Sequence, residues 1–294
     1  MVQERIQLSL VITAKDTNDP KLADLLRSIE AQDFNKDALE VLVITEGTSE
    51  SAKAIGIRKA KGEVIGILAS DNELVYPQTL EFGYKNAMTF GASSCSYYEY
   101  KPSDDFLNRY FSLMGGNDPL AYYMGKNDRS SMLGDRPNPE GTIGDNGFFI
   151  RKELIEKTDL DNYYHIDNAI ESEAFVRWIP FPIWHKTGGS ILKFFRKRYH
   201  YGLQHAFNSN RRWHLVDFKK GGDVLRLLWF ILASVTFIHP LVTAMRGYIK
   251  IRDLAWFIAP VMCFLTVVTY AILVVHLTIR RVFQSSSARM VGTA

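Results

Sequence analysis

GEVIGILASDNEL, residues 62–74, decides how the rest of the chain is read. Val64, Ile65, Ile67 and Leu68 make a short apolar run with β-branched content, bounded by Gly62 before it and Asp71-Asn72 after it. A run of that length between turn residues is the pattern of a strand buried on both faces in a parallel sheet. Asp71, Asn72 and Glu73 stand at its carboxyl end. Open α/β sheets bind ligands at that end of their strands, and Asp71 and Glu73 offer hard oxygen ligands suited to Mg²⁺ or Mn²⁺. A cation held there would neutralise a diphosphate. Asp71-Asn72 also has the composition of a plain turn.

On the amino side, Leu8–Thr13 reads as a first strand that runs into the polar turn AKDTNDP. Asp19 is placed to cap a helix with Pro20 at its first position, and Leu22, Leu25, Leu26 and Ile29 share one helical face up to Gln32. Leu39–Thr45 reads as a second strand, followed by Glu46 and by a helix from Ser49 to Lys61 that stops at Gly62. With the opening stretch as third strand this is a βαβαβ unit, which predicts a parallel sheet with right-handed crossovers.

On the carboxyl side, Pro77–Met88 reads as a helix, Ser93–Tyr98 as a strand and Asp104–Met114 as a helix with Leu107, Tyr110, Phe111 and Met114 at helical spacing. Residues 115–141 are rich in Gly, Asn, Asp and Pro, and read as a substrate-covering loop with aromatic anchors. Thr142–Ile150 brings Asp145-Asn146 up to an apolar strand, and Lys152–Lys157 is a short helix. His165–Trp178 reads as a helix with Asp167 in its first turn, where the dipole favours a carboxylate. Phe181–His185 is a last strand, and His185 at its end is either a metal ligand or a hydrogen-bonding residue.

The remainder changes character. Ser190–Phe207 reads as an amphipathic helix, and from Lys186 to Lys220 nine Lys or Arg stand against one acid, Asp217. Interleaved aromatics make this a segment suited to an anionic bilayer surface, and the apolar stretches that follow exclude nucleic acid as its partner. Residues 227–245 and 254–279 contain no Asp, Glu, Lys or Arg, and each has roughly the 20 residues that cross a hydrocarbon core. Pro240 predicts a kink in the first. A short connector, Arg246–Asp253, makes the pair a hairpin that either spans the bilayer or dips into one leaflet. The expected domains are 1–189 catalytic, 190–222 interfacial, 223–281 membrane hairpin and 282–294 tail. Cys95 and Cys263 lie in unlike settings, which argues against a disulfide and for a reducing compartment. Met1–Gln7 lacks the apolar core of a signal peptide, so the head is expected on the cytoplasmic face of the membrane.

The order of LSLVITAKD, LEVLVITEGTSES, AKAIGIRKAKGEVIGILASDNEL and HID resembles the family 2 glycosyltransferases, inverting enzymes of the GT-A fold, over about residues 7–205. The resemblance implies an α/β Rossmann-like head that takes a nucleotide sugar, UDP-linked by expectation, and a Mg²⁺ or Mn²⁺ cofactor. Thr13, Ala14, Asp16, Glu46, Lys53 and Asp71 would contact the nucleotide, and Asp71 with Glu73 would hold the metal. Asp167 would be the catalytic base. Asp145 and Asn146 would line the acceptor side, and Arg196, Lys197 and Arg198 would neutralise a polyprenyl phosphate or other lipid-linked acceptor. Ala69 stands where the family motif has its first Asp, and His165 where a Glu is common.

Inverting transfer to a hydroxyl needs a carboxylate to take its proton and charge stabilisation of the departing diphosphate. An already anionic phosphate acceptor needs no base. Two other readings share the sheet. A sugar-phosphate nucleotidyltransferase calls for a Gly-rich basic loop after the first strand, which AKDTNDP is not, and a non-catalytic membrane scaffold would accommodate Ala69.

Overall fold

The chain was analysed as a computed structural model, which describes residues 5–95, 97–115, 118–124, 135–137, 146–161, 166, 169, 175–186, 189–207, 216 and 218–291. The amino-terminal unit forms in the order read from the sequence: β1 (Leu8–Thr13), α1 (Pro20–Glu30), β2 (Leu39–Ile44), α2 (Ser49–Lys59) and β3 (Val64–Ala69). Asp19 caps α1 by accepting from the Lys21 amide at 2.9 Å, with Pro20 at the first helical position. Thr48 and Ser51 cap α2 reciprocally.

Alternation along the central strands explains why both faces are buried. Leu8, Leu10 and Ile12 of β1 join Val64 and Leu68 of β3 in one core, with Leu22, Leu25 and Ile29 of α1. Val11, Ile65 and Ile67 point the other way, into a second core with Ala52 and Ile57 of α2. Each of these side chains is buried, and burying one contributes roughly 1.5–3 kcal/mol before entropy. A one-residue slip of β3 would exchange the two sets, so its register is strongly specified.

The chain continues through β4 (Asn72–Leu74), α3 (Thr79–Phe90), β5 (Gly91–Cys95), α4 (Phe106–Leu113), α5 (Pro119–Tyr123), β6 (Asp135–Pro137), β7 (Phe148–Arg151), α6 (Lys152–Glu156), β8 (Phe175–Ile179) and β9 (Ile183–His185). Seven strands form one sheet in the order β2-β1-β3-β7-β5-β8-β6. β1 pairs parallel with β2 and β3, and β5 with β8, while β7 and β6 run against their neighbours. β4 and β9 pair separately as an antiparallel ribbon.

Three expectations need correction. α2 stops at Lys59 rather than at Gly62. Gly62 is instead set by packing, because a Cβ there would lie 2.5 Å from the Ser9 amide nitrogen of β1. Phe175–Ile179, expected as the end of a helix, is strand β8: pairing with β5 and burial of Val176 and Ile179 override the local helical spacing. Residues 115–141 are not loop throughout, since Pro119–Tyr123 is a helix whose amino end Asp118 caps.

The chain divides into two units, Met1–Ser103 with Asp128–Thr187, and Asp104–Asn127 with Gly188–Ala294. Asp104–Asn127 thus leaves the expected 1–189 domain. The reason is apolar: Leu107, Tyr110 and Phe111 of α4 share a core with Ala244, Trp256 and Met262. The second unit adds α7 (Ile191–Phe207), α8 (Gly221–Thr236), α9 (Ile238–Lys250) and α10 (Ala259–Val291). Leu254–Arg280 is long and apolar enough to cross a bilayer. The first apolar stretch, expected to kink, forms the pair α8 and α9, bent by 83°, which is the form of a broken span or of a re-entrant loop. Phe237 takes a left-handed φ of 59° at the corner. Pro240 explains the break, because its missing N–H is harmless in the first turn of a new helix and harmful inside a continuous one.

Gly62→Ala is expected to lower the thermal midpoint of the full chain by the equivalent of about 1–3 kcal/mol, the usual cost of overpacking. Gly221→Ala, where nothing lies within 4 Å, is expected to leave the melt unchanged. Equal melts for the two variants would contradict the assignment of Gly62 to packing.

Candidate active site

The carboxyl edge of the sheet gathers the first group of predicted residues. Thr13 lies between Ile44 and Ala69 in the register of β1 with β2 and β3. The Ser70 amide donates to the Thr13 carbonyl at 3.1 Å, and the Ala14 amide to that of Ile44 at 3.0 Å. Thr13, Ala14 and the Ser70-Asp71 turn therefore share one edge, and Glu46 is exposed just beyond β2. Asp16 is exposed and closes its own turn by accepting from the Asn18 amide at 2.9 Å. Lys53 is only 4% exposed, and its ammonium donates to Glu50 at 2.6 Å.

Asn72 organises the turn that carries Asp71. It is 1% exposed. Its side-chain oxygen accepts from the Ala69 amide at 2.9 Å, which folds the chain back after β3, and its nitrogen donates to Asn146 Oδ1 at 2.9 Å. Asn146 Nδ2 in turn donates to the Tyr98 hydroxyl at 2.9 Å. The Tyr98 ring lies against the His185 imidazole with centroids 4.9 Å apart, and His185 Nε2 stands 3.4 Å from Asp71 Oδ1. Residues from four separate segments thus converge on one carboxylate. Gly147 allows it: with φ at 73°, a Cβ there would lie 2.5 Å from Cys95 Sγ.

Glu73 takes a different partner. Lys186 Nζ lies 3.4 Å from Glu73 Oε2 and 2.6 Å from Asp24 Oδ2. The hydrogen bond from Lys186 holds the Asp24 carboxyl below its ordinary value. The Lys186 amide also donates to the Asp71 carbonyl at 2.8 Å. Trp184 carries two ammonium groups against its ring, Lys101 at 3.3 Å and Lys186 at 4.3 Å from the centroid.

Among the described residues no three His, Cys, Asp or Glu side chains gather as a metal site. Asp71 and His185 nevertheless present a carboxylate oxygen and an imidazole nitrogen 3.4 Å apart. That donor pair suits a first-row divalent ion, and Mg²⁺ characteristically takes only one or two protein carboxylates beside substrate phosphates and water. The residues present fit such an ion. The sequence left His185 open between a metal ligand and a hydrogen-bonding residue and did not single out Tyr98; the placement of both depends on β9 pairing with β4 and on the Tyr98–Ile183 bridge. Asp145 and Asp167, like His165, lie outside the described residues.

In the second unit, Arg196 and Lys197 are exposed on α7, while Arg198 is engaged: its guanidinium lies 2.9 Å from Asp118 Oδ2. Asp118 also accepts from the Tyr270 hydroxyl at 2.7 Å and caps α5 through the Leu120 amide at 2.9 Å. Arg198 thus has a structural partner that the reading of the sequence did not foresee.

No protein-family model matches the chain, and no curated protein matches it by sequence. Solved structures do. The mannosyltransferase PcManGT from Pyrobaculum calidifontis, solved in complex with GDP-Man and Mn²⁺, matches with a TM-score of 0.51 at 13% identity, over 91% of this chain and 86% of that one. TarS residues 1–349 from S. aureus give a TM-score of 0.38 at 11% identity, over 69% of this chain and 68% of that one. The first likeness shows the fold: this chain has the glycosyltransferase fold of the GT-A class, a mostly parallel Rossmann-like sheet flanked by helices, with an apolar helix toward its C-terminus.

Asn72→Ala removes the acceptor for the Ala69 amide and the donor to Asn146. It is expected to cost about 1–3 kcal/mol in a denaturant melt of the full chain, as an orphaned buried polar group does. A melt like that of the parent protein would remove Asn72 from the centre of the site.

Proposed function

We propose that this chain is an inverting glycosyltransferase that moves a sugar from a nucleotide-sugar donor, UDP- or GDP-linked, to a lipid-linked acceptor at the cytoplasmic face of a membrane. One observation carries the proposal: Asp71 and His185 face each other at 3.4 Å at the carboxyl edge of a sheet with the glycosyltransferase fold. The nucleotide sugar and Mn²⁺ named for PcManGT support the same reading.

Asp71 and His185 would hold Mg²⁺ or Mn²⁺, with Glu73 as a further carboxylate of that edge, tied to Lys186. When bound, such an ion stabilises the charge that collects on a departing nucleoside diphosphate. Thr13, Ala14, Asp16 and Glu46 would contact the nucleotide from the ends of β1 and β2. Lys53, paired with Glu50, would reach it only by sharing that partner. Asn146, fixed between Asn72 and Tyr98, would orient the acceptor together with Asp145. Asp167 would take the proton of a hydroxyl acceptor.

A lipid-linked acceptor is supported by the company of apolar and basic surface in the second unit, where Arg196 and Lys197 would attract its phosphate and Arg198 would contribute through Asp118. A scaffold without chemistry is the competing reading, kept alive by Ala69 in place of an acidic residue.

Calorimetric titration separates them. The purified full chain is expected to bind UDP or GDP only when Mg²⁺ or Mn²⁺ is present, and Asp71→Asn to weaken that binding about tenfold or more, the loss expected for one charge-assisted ligand. No metal-dependent affinity for any nucleotide or nucleotide sugar would favour the scaffold.

A further inference from the structure

Each polar atom of Lys186 has a partner inside the first unit. Its amide donates to the Asp71 carbonyl at 2.8 Å, and its carbonyl accepts from Lys21 Nζ at 2.8 Å. Its ammonium lies 2.6 Å from Asp24 Oδ2 and 3.4 Å from Glu73 Oε2. The side chain is 15% exposed, and the ammonium rests 4.3 Å from the centroid of the Trp184 ring. A cation held between two carboxylates and an aromatic face has little freedom.

Strand register explains why Lys186 meets these groups. In the β4–β9 ribbon Asn72 stands opposite His185 and Glu73 opposite Trp184, so the hydrogen bond from Lys186 to Asp71 continues the ladder by one position. Successive side chains of a strand alternate between its two faces. Glu73, Trp184 and Lys186 therefore share one face of the ribbon, and Asn72 and His185 share the other. Opposed and diagonal residues on one face are neighbours. That sets the Lys186 ammonium beside Glu73, while the Asp71 carboxylate turns to His185 Nε2 at 3.4 Å.

Glu73 is the more weakly held of the two carboxylates. Its Oε2 is buried and has no hydrogen bond among the described residues, and the ammonium 3.4 Å away is nearer to Asp24. A buried carboxylate oxygen without a donor is costly, so Glu73 would gain from any cation that came closer. Lys186 is the cation that faces it instead. Asp71 and His185 are thereby left as a pair, and no third His, Cys, Asp or Glu joins them among the described residues. Two protein ligands leave most positions around a divalent ion to water and phosphate oxygens.

We propose that Lys186 withholds Glu73 from the divalent ion, so that the site takes the ion well only together with the oxygens of a nucleoside diphosphate. Metal and nucleotide then depend on one another, each raising the affinity for the other by the same factor. A third ligand free to bind would hold the ion before the nucleotide arrived and would weaken that dependence. This inference rests on Asp71 and His185 as the ligands under the proposed function, and it names what controls the loading of their site.

The test is a titration of the purified full chain with Mn²⁺ in the absence of nucleotide, followed by electron paramagnetic resonance, in which binding removes the signal of free Mn²⁺. Lys186→Met keeps the aliphatic stem and releases Glu73. It is expected to bind Mn²⁺ about tenfold or more tightly than the parent chain, the gain of one further charged ligand. Adding Glu73→Gln to Lys186→Met is expected to abolish that gain. Lys101→Met removes an ammonium 3.3 Å from the centroid of the same Trp184 ring while leaving the Lys186–Glu73 pair in place, and is expected to bind Mn²⁺ as the parent does. No gain in Lys186→Met, or a gain that survives Glu73→Gln, overturns the inference. An equal gain in Lys101→Met overturns it too, since any nearby positive charge would then have the same effect. Lys186→Gln carries the same expectations if Lys186→Met does not fold. In each of these cases the proposed function stands as long as the parent chain binds Mn²⁺ with UDP or GDP, and a parent chain that binds no Mn²⁺ even then overturns both.

Discussion

A buried side-chain amide has to be paired on both its oxygen and its nitrogen, and at Asn72 that requirement shapes the site. The oxygen is spent on the Ala69 amide and the nitrogen on Asn146. The first bond reverses the chain immediately after β3, and the second ties that reversal to the residues leading into β7. Asp71 sits inside the reversal and is left with little freedom. Its backbone carbonyl accepts from Lys186 at 2.8 Å, and its carboxylate faces His185. Binding chemistry that depends on one carboxylate gains from this arrangement, because the geometry is set by packing before any ligand arrives.

The second unit obeys the same rule in apolar surroundings. Asp118 and Asp253 are buried carboxylates, and each meets an arginine from another helix while also capping a helical turn. Burying an ion pair gives little net stability when an apolar alternative of equal volume exists. What such pairs do set is which helices meet and at what level. Tyr270 and His276, polar interruptions of a long apolar helix, mark where α5 and α7 attach. Polar residues in such a helix are costly unless paired, and these are paired within the unit. The outward side of the same helix remains apolar, with Val261, Phe264 and Val275 exposed.

The fold was legible wherever a segment's own pattern decided its state. β1, β3, the Asp19 cap and the Pro20 start are local signals, and they hold in the structure. The reading went astray where a distant partner decided. FVRWI has a spacing compatible with a helix, yet becomes β8 because β5 offers it a ladder. Gly62 carries the mark of a helix stop, yet is fixed by the backbone of β1. Asp104–Asn127 looked like part of the head and instead packs with the C-terminal helices. In the site, Asp71 and Asn146 were readable from turn chemistry beside apolar strands. His185 was readable only as a strand-end residue with two candidate roles, and Tyr98 not at all, because their approach to Asp71 is created by β9 folding back onto β4. Arg198 was read as a cation for a ligand, and its engagement by Asp118 depends on a helix with no sequence neighbour in common.

The central claim is that the Asp71–His185 pair receives a divalent ion together with a nucleoside diphosphate. Anomalous diffraction at the manganese edge, from crystals of the full chain grown with Mn²⁺ and UDP or GDP, tests it most directly. The account predicts one strong anomalous peak touching both Asp71 and His185 and the diphosphate oxygens. Nucleotide bound elsewhere on the chain, or manganese bound away from Asp71, would contradict it.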